Sequence, residues 1–67
     1  MTRLDIDSRR AALEQIRRRG KTVRAWAREH GLSERVVWEV LGGRKKGLWG
    51  QSHKAAVLLG LKDGVLE

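Results

Sequence analysis

A short segment, ERVVWE from 34 to 39, carries side chains suited to hydrogen bonding with flat, polar partners. Arg35 presents a guanidinium that can donate two parallel hydrogen bonds to a single acceptor edge, such as that of guanine. Glu34 and Glu39 can accept a hydrogen bond from an amino group such as cytosine N4; alternatively, each orients an arginine and repels wrong sequences. Trp38 adds a large apolar surface that is unfavourable to leave in water. The segment therefore predicts a surface able to read the edges of bases.

A short helix is predicted to position these side chains, because apolar residues recur at helical spacing on its other side. Ser33 is predicted to cap its start, and Gly42 and Gly43 to end it. On the outward face, two interpretations of Trp38 stay open. It contacts a base edge or a thymine methyl in the major groove, or it packs against a fourth helix or a dimer partner. The inward residues are Val37, Val40 and Leu41.

A second predicted helix comes directly before, with Thr22 as its N-cap and a tight turn at Gly31. Its inward face is formed by Val23, Trp26, Ala27 and His30. Two helices that cross over a short turn need a small residue where they touch, a glycine at the corner and a branched apolar residue between them. The chain resembles the helix-turn-helix signature in this respect, at Ala27, Gly31, Ser33 and Val37. Many plain helical corners share parts of this pattern, so the motif alone leaves DNA binding and a structural corner equally open.

Length and composition limit what else the chain can do. Its 67 residues suffice for one small domain. It has no cysteine and two widely separated histidines, so neither disulfides nor a metal site is expected. There is no paired-carboxylate constellation with a histidine, no glycine-rich phosphate fingerprint after a strand and too little chain to enclose a pocket. We therefore expect a protein that is not an enzyme and that has no cofactor and no small-molecule substrate.

Positive charge dominates the sequence. Fifteen Lys and Arg residues face eight Asp and Glu residues, which gives a net charge of +7. Such a surplus on a short chain predicts a polyanionic partner, with double-stranded DNA the leading candidate. No apolar run approaches the length of a membrane span, and the N-terminal residues lack the apolar segment of a signal peptide. The sequence thus predicts no membrane partner and a cytoplasmic, nucleoid-associated location in a bacterium.

Three groups of polar residues are candidates for phosphate contacts. Lys21 and Thr22 stand at the start of the second helix, where backbone N–H groups and a hydroxyl form an anion site. The basic loop after the third helix is predicted to grip the DNA backbone, whereas Leu48 and Trp49 are expected to return into the core. A further phosphate seat is predicted where the fourth helix begins. The loop residues are Arg44, Lys45 and Lys46, and the residues at the start of the fourth helix are Gln51, Ser52 and Lys54.

Two more helices complete the expected fold. The first has Asp7 as its cap, runs through Ser8 to Arg19 and ends at Gly20, with Ile6 packing before the cap. The fourth runs from Ser52, its own cap, to Leu59 and ends at Gly60. The predicted organisation is a flexible lead-in over 1–6, a DNA-binding domain over 7–62 and a short tail over 63–67. The fold class is all-α, a compact bundle of four to five short helices.

The succession of short helices resembles the DNA-binding domain of the phage repressor and Cro family over roughly 7–62, and the segment GRKKGLWGQSHKAAVLLGLK is similar to small prophage-borne regulators. The resemblance implies a lambda-repressor-like fold, transcriptional control and a homodimer on a palindromic site. It also implies that the groove-facing positions are Ser33, Glu34, Arg35, Trp38 and Glu39. Two alternatives stay open: an architectural or excisionase-like protein with low sequence specificity, and an antitoxin-like or anti-repressor module that binds protein.

Overall fold

The computed structural model describes residues 5–62 and residue 64. Its helices are α1 (Ile6–Arg18), α2 (Val23–Glu29), α3 (Glu34–Leu41) and α4 (Gly50–Leu58). The predicted all-α bundle of short helices is confirmed. The identification of α2 and α3 as a DNA-binding helix-turn-helix stays a prediction, and the expectations for 1–4, 63 and 65–67 lie outside the described residues. Among the described residues, no helix is long and apolar enough to cross a membrane.

The start of α1 differs from the prediction. Asp5, not Asp7, is the N-cap, and its carboxylate accepts hydrogen bonds from the backbone N–H of Ser8 at 3.0 Å and from the Ser8 hydroxyl at 2.9 Å. Because the helix begins earlier, Ile6 lies within its first turn and is 52% exposed rather than packed before the cap. Aspartate is a favoured N-cap residue, and both Asp5 and Asp7 stand just before the apolar helical pattern, so the sequence did not show which of them is the cap.

The ends of the helices follow the glycine pattern. At the end of α2, the N–H of Gly31 donates to Arg28 O at 3.2 Å and the N–H of Leu32 donates to Ala27 O at 2.8 Å. This pair of bonds is the Schellman motif, and it requires the left-handed φ of +67° that Gly31 adopts. The same arrangement closes α4, where Leu61 covers the helix end and is 1% exposed. The predicted turn between α2 and α3 is thereby confirmed in its local geometry.

The core surrounds α3. Val37 and Val40 are fully buried, and Ala27 of α2 is 1% exposed, as expected for the small residue where two helices meet. α1, α2 and α4 each pack against α3. The remaining buried apolar residues are Ala12, Ile16, Val23, Trp26, Leu32, Leu41, Ala55, Ala56 and Leu61. α3 is therefore buried along one side by the rest of the bundle, and its other side stays outside.

The segment before α4 contradicts the sequence-based expectation. Leu48 is 59% exposed and Trp49 is 77% exposed, so the prediction that both return to the core is wrong. The physical reason is Gly47, which is buried and approaches α4 so closely that a Cβ would lie 2.7 Å from the Cβ of Ala56. Backbone thus covers α4 where side chains were expected, and the next two residues turn outward.

The beginning of α4 shifts accordingly. Its N-cap residue is Trp49, which has an extended backbone and makes no side-chain cap, so the prediction of Ser52 as cap is wrong. The Ser52 hydroxyl instead donates to Trp49 O at 2.7 Å from within the helix. Ala55 and Ala56 are buried, as the apolar face predicted.

Candidate nucleic-acid interface

The outward face of α3 is accessible to a partner. Glu34 and Arg35 are exposed, Glu39 is half-buried, and Trp38 is 43% exposed. Ser33, the residue before the helix, is exposed as well. The predicted base-reading residues are therefore brought together on one short helix and the residue that precedes it.

A hydrogen bond orders the tryptophan on this face. Trp38 Nε1 donates to Glu34 Oε2 at 3.2 Å, one helical turn away. The bond satisfies the indole N–H and directs the rest of the ring away from Glu34. It also gives Glu34 a partner on its own helix, so the carboxylate fixes the orientation of a neighbouring side chain, although that neighbour is a tryptophan and not an arginine.

The other side of Trp38 borders α1. The indole lines an apolar cleft together with Ile6, Leu13 and Leu41. The cleft residues come from α1 and from the end of α3, and α4 contributes none of them. Trp38 is thus half-covered by its own molecule and half-open to a partner, which leaves the DNA contact as a prediction.

Two side chains from other helices hold α3 at its ends. At its start, Ser33 is the N-cap residue, as predicted, but its hydroxyl makes no cap hydrogen bond. Its backbone N–H donates to Gln51 Oε1 of α4 at 2.9 Å. At its end, Arg9 Nη1 of α1 donates to Leu41 O at 3.2 Å. A cation near a helix C-terminus is favourable, because the unpaired carbonyls there carry partial negative charge. The helix is therefore fixed relative to both neighbours.

The segment from 43 to 49, here called the cationic loop, is held in place by hydrogen bonds to its own main-chain atoms. The N–H groups of Arg44 and Lys45 donate to Glu39 O at 2.8 and 3.2 Å, and Lys62 Nζ donates to Gly47 O at 2.7 Å. These bonds fix the loop while its three cationic side chains stay exposed.

The cationic loop lies beside α3. It leaves the C-terminal end of α3 and leads into α4, whose Gln51 returns to Ser33 at the N-terminal end of α3. Arg44 lines a surface depression together with Arg35 and Trp38. The structure thus places a cation of the loop in the same depression as three of the five side chains proposed to contact bases, the third being Glu39, and the loop extends along the same helix.

All the other predicted phosphate contacts except Lys54 also make contacts within the protein. Lys21 Nζ lies 2.6 Å from Glu29 Oε2 in an exposed ion pair, and Thr22 Oγ1 accepts from the N–H of Ala25 at 3.1 Å as the predicted N-cap. Gln51 binds Ser33, as described above. Lys54 is exposed on α4. An exposed ion pair contributes at most about 1 kcal/mol, so Lys21 is able to exchange Glu29 for a phosphate.

Sequence reasoning missed the residues that position the site. Arg9 and Lys62 were assigned no role, and Gln51 was assigned only to phosphate. Each of them bonds to a residue far along the chain, at separations of 32, 15 and 18 positions. Local patterns carry no signal for such pairs, since their meeting depends on how the helices pack.

Comparisons of the chain with protein-family models, with curated proteins and with solved structures found no match. The functional interpretation therefore rests on the geometry of α3 and of the cationic loop.

Proposed function

We propose that this protein is a sequence-specific regulator of transcription, of the phage or prophage repressor type, that inserts α3 into the major groove of double-stranded DNA. The observation that carries the proposal is the shared surface of Arg35, Trp38 and Arg44 on the exposed side of α3. The face of α3 and the adjoining cationic loop thereby offer a directional donor, an apolar group and a cation together.

The dimensions of α3 suit this partner. An α-helix with its side chains is about 10–12 Å across, and the major groove is about 12 Å wide. In helix-turn-helix proteins, residues near the start of the second helix contact base edges. Ser33, Glu34 and Arg35 occupy that position here, and Arg35 is the residue suited to guanine O6 and N7.

The charge distribution supports different roles for the helix and the loop, with base contacts from α3 and phosphate contacts from the cationic loop. Phosphate contacts supply affinity that does not depend on sequence, whereas base contacts supply specificity. The exposed side chains of Arg44, Lys45 and Lys46 serve the first purpose, and the face of α3 serves the second. Glu34 and Glu39 repel phosphates, which favours a pose in which they face bases instead.

Paired substitutions test these roles. We expect Arg35→Ala to lose about 1–3 kcal/mol of binding to the preferred duplex and to relax base preference. Lys45→Ala should weaken all duplexes alike and lower the slope of log K against log salt concentration by about one. Arg18→Ala is the matched control, since it removes the same charge from an exposed site on α1. Equal losses on preferred and random duplexes for Arg35→Ala would refute the readout role.

A selection of duplexes from a random pool identifies the target. A recovered palindrome would support a homodimer, because half-site spacing mirrors the two-fold symmetry of the protein. Recovery of unrelated sequences would favour the second candidate function, an architectural DNA-binding protein. That candidate is favoured by the cationic loop, whose three exposed cations supply affinity without base readout.

A further inference from the structure

The most exposed large apolar side chains of the described residues stand next to one of the two runs of three consecutive cationic residues, the run from 44 to 46. Leu48 and Trp49 are 59% and 77% exposed. They line one surface depression together with Arg44, Lys45 and Lys46. A partner that satisfies both features has anionic groups beside a flat apolar surface.

The side chain of Trp49 makes no contact with the core and no cap hydrogen bond that would explain a tryptophan at this position. It stands at the N-cap of α4, where Ser, Thr, Asp and Asn are favoured because their side-chain oxygen accepts a backbone N–H. The indole offers no such acceptor, and the residue makes no side-chain cap. Its contribution to α4 is made by its carbonyl oxygen, which any residue supplies, and its ring is not part of the core.

The path of the cationic loop places Trp49 beside α3, the helix that is proposed to enter the major groove. The bond between Gln51 and Ser33 brings the end of the loop to the start of α3. Val36 of α3 lines the same depression as Trp49, so the two side chains border one continuous surface. Because the major groove admits about one helix in width, a segment beside α3 lies over the bordering phosphates. A side chain that extends further meets the adjacent minor groove.

From these placements we propose that Leu48 and Trp49 form an apolar wedge, which enters the minor groove beside the strand that the cationic loop grips and stacks against unstacked base pairs. The inference rests on the proposed DNA-binding function and adds a consequence to it: the bound duplex is bent. Apolar wedges of this kind unstack a base step and kink the duplex. The cations next to the wedge hold the phosphates on the flank of the bent step.

The test compares Trp49→Ala with Trp49→Phe on a short duplex that carries a donor and an acceptor dye at its two ends. For the unchanged protein we expect energy transfer to rise on binding, since bending brings the ends together. Trp49→Ala should lose this rise and bind about 5- to 150-fold more weakly. Its salt slope should stay unchanged, because an indole releases no counterions. Trp49→Phe should keep most of both properties.

Fluorescence provides an independent readout. The difference in emission between the unchanged protein and Trp49→Phe reports on Trp49, because Trp38 and Trp26, which is 5% exposed, are present in both proteins. Iodide should quench Trp49 in the unbound protein and should lose access to it when the duplex is bound. Circular dichroism checks that each variant keeps its helices.

Several results would overturn the wedge. If Trp49→Ala binds and bends the duplex as well as the unchanged protein does, the wedge proposal is wrong and the proposed DNA-binding function is unaffected. A blue shift of Trp49 emission with vesicles of equal parts phosphatidylglycerol and phosphatidylcholine, but none with duplex, assigns the surface to a membrane. A sedimentation shift from dimer to monomer in Trp49→Ala assigns it to a second copy. If the unchanged protein binds no duplex at low salt, the proposed function fails first and the wedge with it.

Discussion

The substitution Gly47→Ala tests whether backbone contact with α4 holds the cationic loop in place. Gly47 has a φ of +71°, and an added Cβ would lie 2.7 Å from Ala56 Cβ and 3.1 Å from Ser52 O. A non-glycine residue in the left-handed region costs about 1–2 kcal/mol. Overpacking against atoms that cannot move aside adds about 1–3 kcal/mol. The total is a large share of the about 3–10 kcal/mol expected for a chain of this length.

Gly60→Ala is the matched control for this prediction. Gly60 has a similar φ of +76°, but an added Cβ meets no atom within 4 Å. The difference between the variants therefore isolates the close approach, about 1–3 kcal/mol, and appears as a melting temperature about 4–24 °C lower for Gly47→Ala. Thermal unfolding followed by circular dichroism measures it. Equal melting temperatures for the two variants would show that the loop does not press on α4.

Three further predictions concern single residues that stabilise the fold. Gln51→Ala removes the acceptor of the Ser33 N–H and should cost about 0.5–1.5 kcal/mol in thermal unfolding, whereas Gln51→Glu keeps an acceptor and should keep stability while weakening DNA binding. Hydrogen bonds from the Ser8 N–H and hydroxyl lower the pKa of Asp5 below 3.8. Its contribution is therefore present above pH 3.8 and is lost as the pH falls through the folded-state pKa, so the unchanged protein should lose more melting temperature on acidification than Asp5→Asn. Leu61→Ala creates a cavity beneath the end of α4 and should cost about 2–5 kcal/mol, which denaturant unfolding measures; a loss below 1 kcal/mol would contradict its place in the core.

Features set by neighbours along the chain were predictable from the sequence. The inward faces of α2 and α3, the cap at Thr22 and the turn at Gly31 follow from helical spacing and from residue preferences that act within a few positions. The same local rules placed Arg35 on the outward face of α3. The structure confirms the all-α fold and the local turn, while the role of Arg35 in DNA readout stays a prediction.

Features set by packing between distant segments were not predictable. Leu48 and Trp49 were assigned to the core because large apolar side chains are usually buried. That preference assumes that a side chain can reach the core, and here Gly47 brings the backbone against Ala56 first. The bond from Gln51 to Ser33 likewise depends on the packing of α4 against α3, which no local pattern encodes.

The hydrogen bonds that anchor the cationic loop bear on which substitutions the loop can accept. Its fixed points are main-chain atoms, the carbonyl of Glu39 accepting from two N–H groups and the carbonyl of Gly47 accepting from Lys62. None of these bonds depends on which side chains stand at 44, 45 and 46. Under the proposed function, substitutions at 45 and 46 would therefore change how long the protein stays on DNA, while the face of α3 that is proposed to contact bases keeps its residues.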